Sequence, residues 1–199
     1  MVRPLQNQLL ELEYALIPEG LHVMGQAPTR EQRLGTLKVM ADAMGLAHAD
    51  FYGIPTFVVS PENFDSREAW AEVLLDNIKF FKPDLVVLAG FMKVLPPAFV
   101  RALSPKLINT HPSLLPNYPG AHAVRDAMNA GATKTGVTIH IVDEGVDTGP
   151  HIAQREVEIH SDESEAELHE RIKVVERELL VETVRAIAER RINLSQIAQ

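Results

Sequence analysis

The sequence predicts an α/β fold: a mostly parallel sheet with helices on both faces. Three observations carry this. Short apolar, β-branched runs alternate with amphipathic stretches of helical period, Pro and Gly mark the changeovers, and the central runs are apolar throughout, as strands covered on both faces are. The chain has 199 residues, 46% of them hydrophobic, which suits a single domain with a sizeable core.

Taken in order, residues 1–46 are an atypical, mainly helical segment. Gln6 to about Leu16 has helical character, Pro18-Glu19-Gly20 breaks it, and Leu21-His22-Val23-Met24 is too short to assign. Pro28-Thr29-Arg30-Glu31 starts a second helix that runs to about Ala49. Ile54-Pro55-Thr56-Phe57-Val58-Val59 is β-branched and aromatic, and reads as a strand. Ser66 to Phe81 places Trp70, Val73, Leu74, Asn77, Ile78 and Phe81 at helical spacing. Pro83 stops that helix, and Asp84 to Ala89 follows as a buried strand. Pro96 and Pro97 open a short helix to about Leu103, and Lys106-Leu107-Ile108-Asn109 is another buried strand. A helix from Ala121 to about Ala130 ends near Gly131. Gly136 to Val142 and His151 to Ile159 alternate apolar and polar, as one-sided strands do. Ser164 to about Arg190 is a long amphipathic helix with Leu168, Ile172, Val175, Leu179 and Val184 on its apolar stripe; Ser164 and Glu167 form a capping box.

Composition narrows the function classes. A formal net charge of -8 argues against a general nucleic-acid or anionic-membrane surface. The absence of cysteine excludes disulfides and thiolate metal sites and suits a reducing cytoplasm. No apolar run approaches the ~20 residues of a membrane helix, and no signal-peptide layout is present. Neither His-Glu-x-x-His nor a Gly-rich nucleotide fingerprint occurs, so no metal is expected.

Candidate chemistry gathers between Asn109 and Asp147. The run Asn109-Thr110-His111-Pro112-Ser113-Leu114-Leu115-Pro116, then Tyr118-Pro119-Gly120-Ala121-His122, then Gly145-Val146-Asp147-Thr148-Gly149-Pro150, sets an amide, an imidazole and a carboxylate at the ends of strand-like stretches. Open α/β sheets bind ligands at such ends. Asn109 and a protonated His111 can stabilise an oxyanion, and Asp147 can accept a proton, directly or through water, while raising the imidazole's pKa. Taken singly, each position fits a loop-capping or hydrogen-bonded loop residue better than a catalytic one. His22, His48, His140, His151, His160 and His169 carry no expected site role.

Taken together, these segments resemble the signature of the folate-dependent formyltransferases, over roughly Gly53 to Arg190 and including Phe64-Asp65-Ser66-Arg67-Glu68 and Leu88-Ala89-Gly90-Phe91-Met92-Lys93-Val94-Leu95. The resemblance implies a Rossmann-like fold and transfer of a formyl group from 10-formyltetrahydrofolate to the amine of glycinamide ribonucleotide in purine biosynthesis. It implies catalysis by Asn109, His111 and Asp147. It also implies folate contacts from Leu88, Met92, Lys93, Val94, Leu95, Leu107 and the loop Val142, Asp143, Glu144, Gly145 and Val146, and acceptor contacts from Pro112 and Glu176. The expected partners are these small molecules, with a homo-oligomer possible and no nucleic acid or membrane. The tRNA-directed branch of the family shares the Asn-x-His pair, but an Arg-Gly-Ala-Ala-Pro run is expected there where this chain has Tyr118-Pro119-Gly120-Ala121-His122.

The N-terminus departs from that pattern. Members begin with a buried strand and a Gly-x-Gly-Ser-Asn loop that cradles phosphate, and residues 1–46 hold no such loop. Leu10 to Gly25 instead resembles a segment of the large subunit of magnesium and cobalt chelatases. The fold is therefore expected to have its first strands replaced by helical segments. An alternative function follows: a chimeric or divergent folate-binding scaffold without useful turnover.

Overall fold

A computed structural model describes residues 20–24, 49 and 51–199. The chain divides into two compact units, the first ending at Leu103 and the second spanning Ser104–Gln199.

In the first unit, β1 (Gly20–Met24) pairs antiparallel with β2 (Leu85–Ala89), Gly20 opposite Ala89 and Met24 opposite Leu85. The stretch too short to assign from sequence is thus a strand, within the segment read as mainly helical. The helices expected over Gln6–Leu16 and Pro28–Ala49 lie outside the described residues, apart from Ala49. All five residues of β2 are buried, as an uninterrupted Leu-Val-Val-Leu-Ala run requires.

Helix α1 (Arg67–Phe80) begins where Ser66 caps it, its side chain accepting from the Ala69 N–H, and it buries Trp70, Ala71, Leu74 and Ile78. Val73, expected on the stripe, is 40% exposed. The strand expected at Ile54–Val59 does not form: the segment joins no described ladder. Pro55 has no N–H to give, and side chains hold the segment instead. Phe57 stacks on Phe81 at 5.8 Å, and the Trp70 indole N–H donates to the Val59 carbonyl at 2.8 Å. Helix α2 (Pro97–Leu103) closes the unit and buries Phe99, Val100 and Leu103.

The second unit is built on a meander. Strand β3 (Leu107–His111) runs antiparallel to β4 (Lys134–Ile141), which runs antiparallel to β5 (His151–Glu158). Two sequence expectations change here. β3 extends through His111, so Asn109 is a mid-strand residue rather than a terminal one. β4 is buried from Thr135 to Ile141, on both faces, and is not one-sided. Thr138 and His140 are accommodated inside because they hydrogen-bond there, whereas the buried Thr135 hydroxyl has no such partner. Helix α3 (Ala123–Asn129) and the long α4 (Glu165–Ala188) pack against each other, and α4 also covers β4 and β5. Leu168, Ile172, Leu179, Leu180 and Val184 form the buried stripe of α4, and the Ser164–Glu167 capping box is present in both directions. A short α5 (Leu194–Ile197) follows. No helix among the described residues is long and apolar enough to cross a membrane.

Candidate active site

The register of β3 on β4 places Asn109 opposite His140 and His111 opposite Thr138. Two polar pairs therefore face each other across the β3–β4 ladder. The loop between β4 and β5 returns Asp147 to the same corner. Its Oδ2 lies 3.3 Å from His111 Nδ1, and its Oδ1 lies 3.6 Å from His140 Nε2. The three residues that the sequence singles out are thus brought together, and a fourth, His140, stands among them.

The Pro- and Gly-rich run after β3 exists to finish this arrangement. It turns so that the Tyr118 carbonyl accepts from His111 Nε2 at 2.9 Å and the Gly120 N–H donates to Asp147 Oδ2 at 2.8 Å. That turn uses left-handed backbone at Tyr118 (φ 55°) and Gly120 (φ 90°), the second of which glycine adopts without cost. Fully buried Ser113 donates to the Asn117 carbonyl at 2.6 Å, tying the turn's start to its middle. Thr138 on β4 donates to the Ser113 carbonyl and accepts from the Leu115 N–H, while Gln154 on β5 donates to the Leu115 carbonyl and to Thr138. The loop is fastened to the sheet at every turn, which preorganises its carbonyl and N–H groups.

Protonation follows from these partners. Burial is the largest influence on His111 and lowers its pKa below 6.5, outweighing the raising effects of the Tyr118 carbonyl and of Asp147. The expectation that Asp147 would raise this imidazole overall is thereby corrected: desolvation of a nearly enclosed ring exceeds the attraction of one carboxylate. Burial alone would raise the Asp147 carboxyl. Hydrogen bonding with His140 and Gly120 and the charge of His111 more than offset it and hold the pKa below 3.8, so Asp147 is ionised at neutral pH.

His140 is the functional candidate that sequence reasoning passed over. Its Nδ1 faces the Ile141 carbonyl at 3.0 Å and must carry a hydrogen. Nε2 then faces both Asn109 Nδ2 at 3.3 Å and Asp147 Oδ1 at 3.6 Å: bare, in the neutral ring, it accepts from Asn109, and protonated it donates to Asp147. One Asn109 amide hydrogen is spent on His140 and the other remains for a ligand. The available signal was the polar pair Thr138 and His140, two residues apart in a buried strand and so on one face.

The other expected residues are placed as follows. In the first unit Leu88 and Leu95 are buried, Met92 and Val94 are 70% and 59% exposed, and Lys93 is exposed beside them. In the second unit Leu107 is fully buried, and its carbonyl accepts from the Val142 N–H at 2.9 Å, anchoring the loop Val142–Val146. Pro112 is half-buried directly after β3. Burial pushes the Glu176 carboxyl on α4 up, and the nearby Thr110 hydroxyl with the charges of Arg177 and Lys173 offsets only part of that. The Thr110 hydroxyl is itself buried with no hydrogen-bond partner of good geometry. No three His, Asp or Glu side chains among the described residues are arranged as metal ligands.

Known proteins share this arrangement of sequence and fold. The formyl transferase family profile matches residues 32–184, beginning some way before the motifs that carry the resemblance in sequence. A phosphoribosylglycinamide formyltransferase of Mycobacterium tuberculosis is 42% identical over 165 residues, 83% of this chain and 75% of that protein. The Escherichia coli phosphoribosylglycinamide formyltransferase is 39% identical over 158 residues, 79% of this chain and 74% of that one. Among solved structures, the phosphoribosylglycinamide formyltransferase of Coxiella burnetii superposes with a TM-score of 0.72 at 38% identity, covering 77% of this chain and 72% of that chain. That of Bacillus halodurans superposes with a TM-score of 0.74 at 31% identity over 94% and 93% of the two chains. The α/β fold expected from the sequence is the fold of these neighbours. On sequence and structure alike, the chain belongs to the formyl transferase family.

Proposed function

We propose that this chain is an enzyme of purine biosynthesis that transfers the formyl group of 10-formyltetrahydrofolate to the amine of glycinamide ribonucleotide, as the names of its relatives indicate for them. The observation that carries this reading is the convergence of Asn109, His111 and an ionised Asp147 in one largely buried corner.

The acceptor amine attacks the formyl carbon, and the carbonyl π pair moves onto oxygen. The uncommitted amide hydrogen of Asn109 donates to that oxyanion. Asp147, ionised and held by Gly120, takes the proton released by the amine, directly or through an ordered water. His111 is neutral at rest and gains affinity for a proton as negative charge develops beside it. Collapse of the tetrahedral intermediate breaks the bond to the folate nitrogen, which leaves with the proton as tetrahydrofolate.

For the co-substrate, the second unit offers Leu107 and the backbone of Val142, Asp143, Glu144, Gly145 and Val146 to a pterin. The Val142 and Gly145 N–H groups already donate within the protein, so pterin recognition falls mainly to carbonyls of that loop. In the first unit, Leu88, Met92, Lys93, Val94 and Leu95 are assigned to the same co-substrate by the family pattern. Pro112 and Glu176 are assigned to the acceptor, Glu176 by its carboxyl and Pro112 by the turn it begins. In this reading the chain acts as one domain, in the cytoplasm, on small molecules and without a metal.

The test follows formyl transfer from 10-formyldideazafolate by absorbance while glycinamide ribonucleotide is titrated. Turnover is expected, with a loss of roughly 100-fold or more in Asp147→Asn. A folded protein that binds the folate yet never turns over would overturn the proposal in favour of the scaffold alternative, which no present observation favours.

A further inference from the structure

We propose that Thr148 is a positioning residue: its hydroxyl and the Asp143 carboxylate form a brace that holds Asp147 in a left-handed backbone conformation, carboxylate towards His111 and His140. This rests on the reading of Asp147 as the proton acceptor.

Asp147 has φ 55°, a left-handed conformation that is uncommon for residues with a side chain, although Asp reaches it more readily than most. One set of constraints acts on the carboxylate, from Gly120, His111 and His140. The other must act on the backbone. The neck of the loop is closed by the Ile141 N–H donating to the Pro150 carbonyl at 2.9 Å. It is so tight that a Cβ on Gly149 would stand 1.8 Å from the Ile141 carbonyl oxygen. Between neck and tip, Asp143 Oδ1 accepts twice, from the Gly145 N–H at 3.1 Å and from the Thr148 hydroxyl at 2.7 Å. A Cβ on Gly145 would lie 2.1 Å from that hydroxyl oxygen, so glycine there is what lets both bonds coexist.

Thr148 directly follows Asp147, so anchoring its side chain fixes the peptide unit that sets Asp147's direction. Thr148 is exposed and has no core to pack. Its influence on the site therefore runs through the bond to Asp143, and losing the hydroxyl frees the backbone without opening a cavity.

Thr148→Val keeps the shape and removes the donor. The expected result is a fall in kcat of roughly 3- to 10-fold, with KM for glycinamide ribonucleotide and the melting temperature unchanged. Thr148→Ser restores kcat. Asp143→Ala gives a similar loss, and the double variant Asp143→Ala with Thr148→Val loses no more than either single one. Wild-type kcat in Thr148→Val, failure of serine to restore it, or additive losses would each overturn the brace. Asp147→Asn measured alongside separates the two levels. If it is inactive while Thr148→Val is unimpaired, only the brace fails; if it retains full turnover, the role of Asp147 and the brace fall together.

Discussion

At the scale of single residues, the candidate site is a small network in which most donors have a fixed partner and one Asn109 amide hydrogen is left over. Asn109 is useful as an oxyanion donor only if its amide is oriented, and His140 orients it: Nδ1 is committed to the Ile141 carbonyl, so the neutral ring presents Nε2 to the Asn109 N–H. His140→Ala should therefore lower kcat by roughly 10-fold, the worth of one oriented hydrogen bond, while leaving folate affinity within about twofold. Steady-state kinetics with both substrates varied would check it, and a loss seen only in KM would point to a binding role instead. Asn109, His111 and Asp147 were legible because their motifs place polar groups among Pro and Gly, where a core has no use for them. His140 was not, since one polar residue in an alternating strand looks solvent-facing until the register with β3 is known.

At the scale of elements, helices were read more faithfully than strands. The caps and stripes of α1 and α4 are local, written within a few residues of where they act, and Ser164 and Glu167 form the expected reciprocal pair. Strands depend on partners that a sequence does not show. Ile54–Val59 has strand composition yet joins no described ladder, and β4 has one-sided patterning yet is buried on both faces because Thr138 and His140 find hydrogen bonds inside. Two stability predictions belong here. Ser164→Ala should cost about 1 kcal/mol by removing the cap of α4. Gly149→Ala should cost about 2–4 kcal/mol, because the new Cβ would stand 1.8 Å from the Ile141 carbonyl oxygen and force the neck of the β4–β5 loop apart. Urea unfolding of both variants would rank them, and a Gly149→Ala protein as stable as wild type would show that the neck can relax.

At the scale of the whole molecule, the site's ionisable groups tie function to global stability with opposite signs. His111 has a folded pKa below 6.5, so its contribution is present above that pH and is lost as pH falls through the folded value, the unfolded chain binding the proton more readily. Asp147 has a folded pKa below 3.8; its contribution holds above 3.8 and is lost as pH falls further. Glu176 runs the other way. Its folded pKa lies above 4.5, so its buried carboxylate destabilises the fold at neutral pH, and the penalty disappears as pH falls through that raised value. Such a penalty is retained where a charge serves a ligand, as an acceptor-binding carboxylate would. Glu176→Gln should therefore melt higher than wild type at pH 7, with the advantage shrinking as pH falls through the carboxylate range, while its KM for glycinamide ribonucleotide rises. Melting curves from pH 3 to 8 on both proteins, paired with the transfer assay, check the two halves together. A Gln variant less stable than wild type at neutral pH would mean that the Thr110 hydroxyl and the flanking Lys173 and Arg177 already compensate the buried charge.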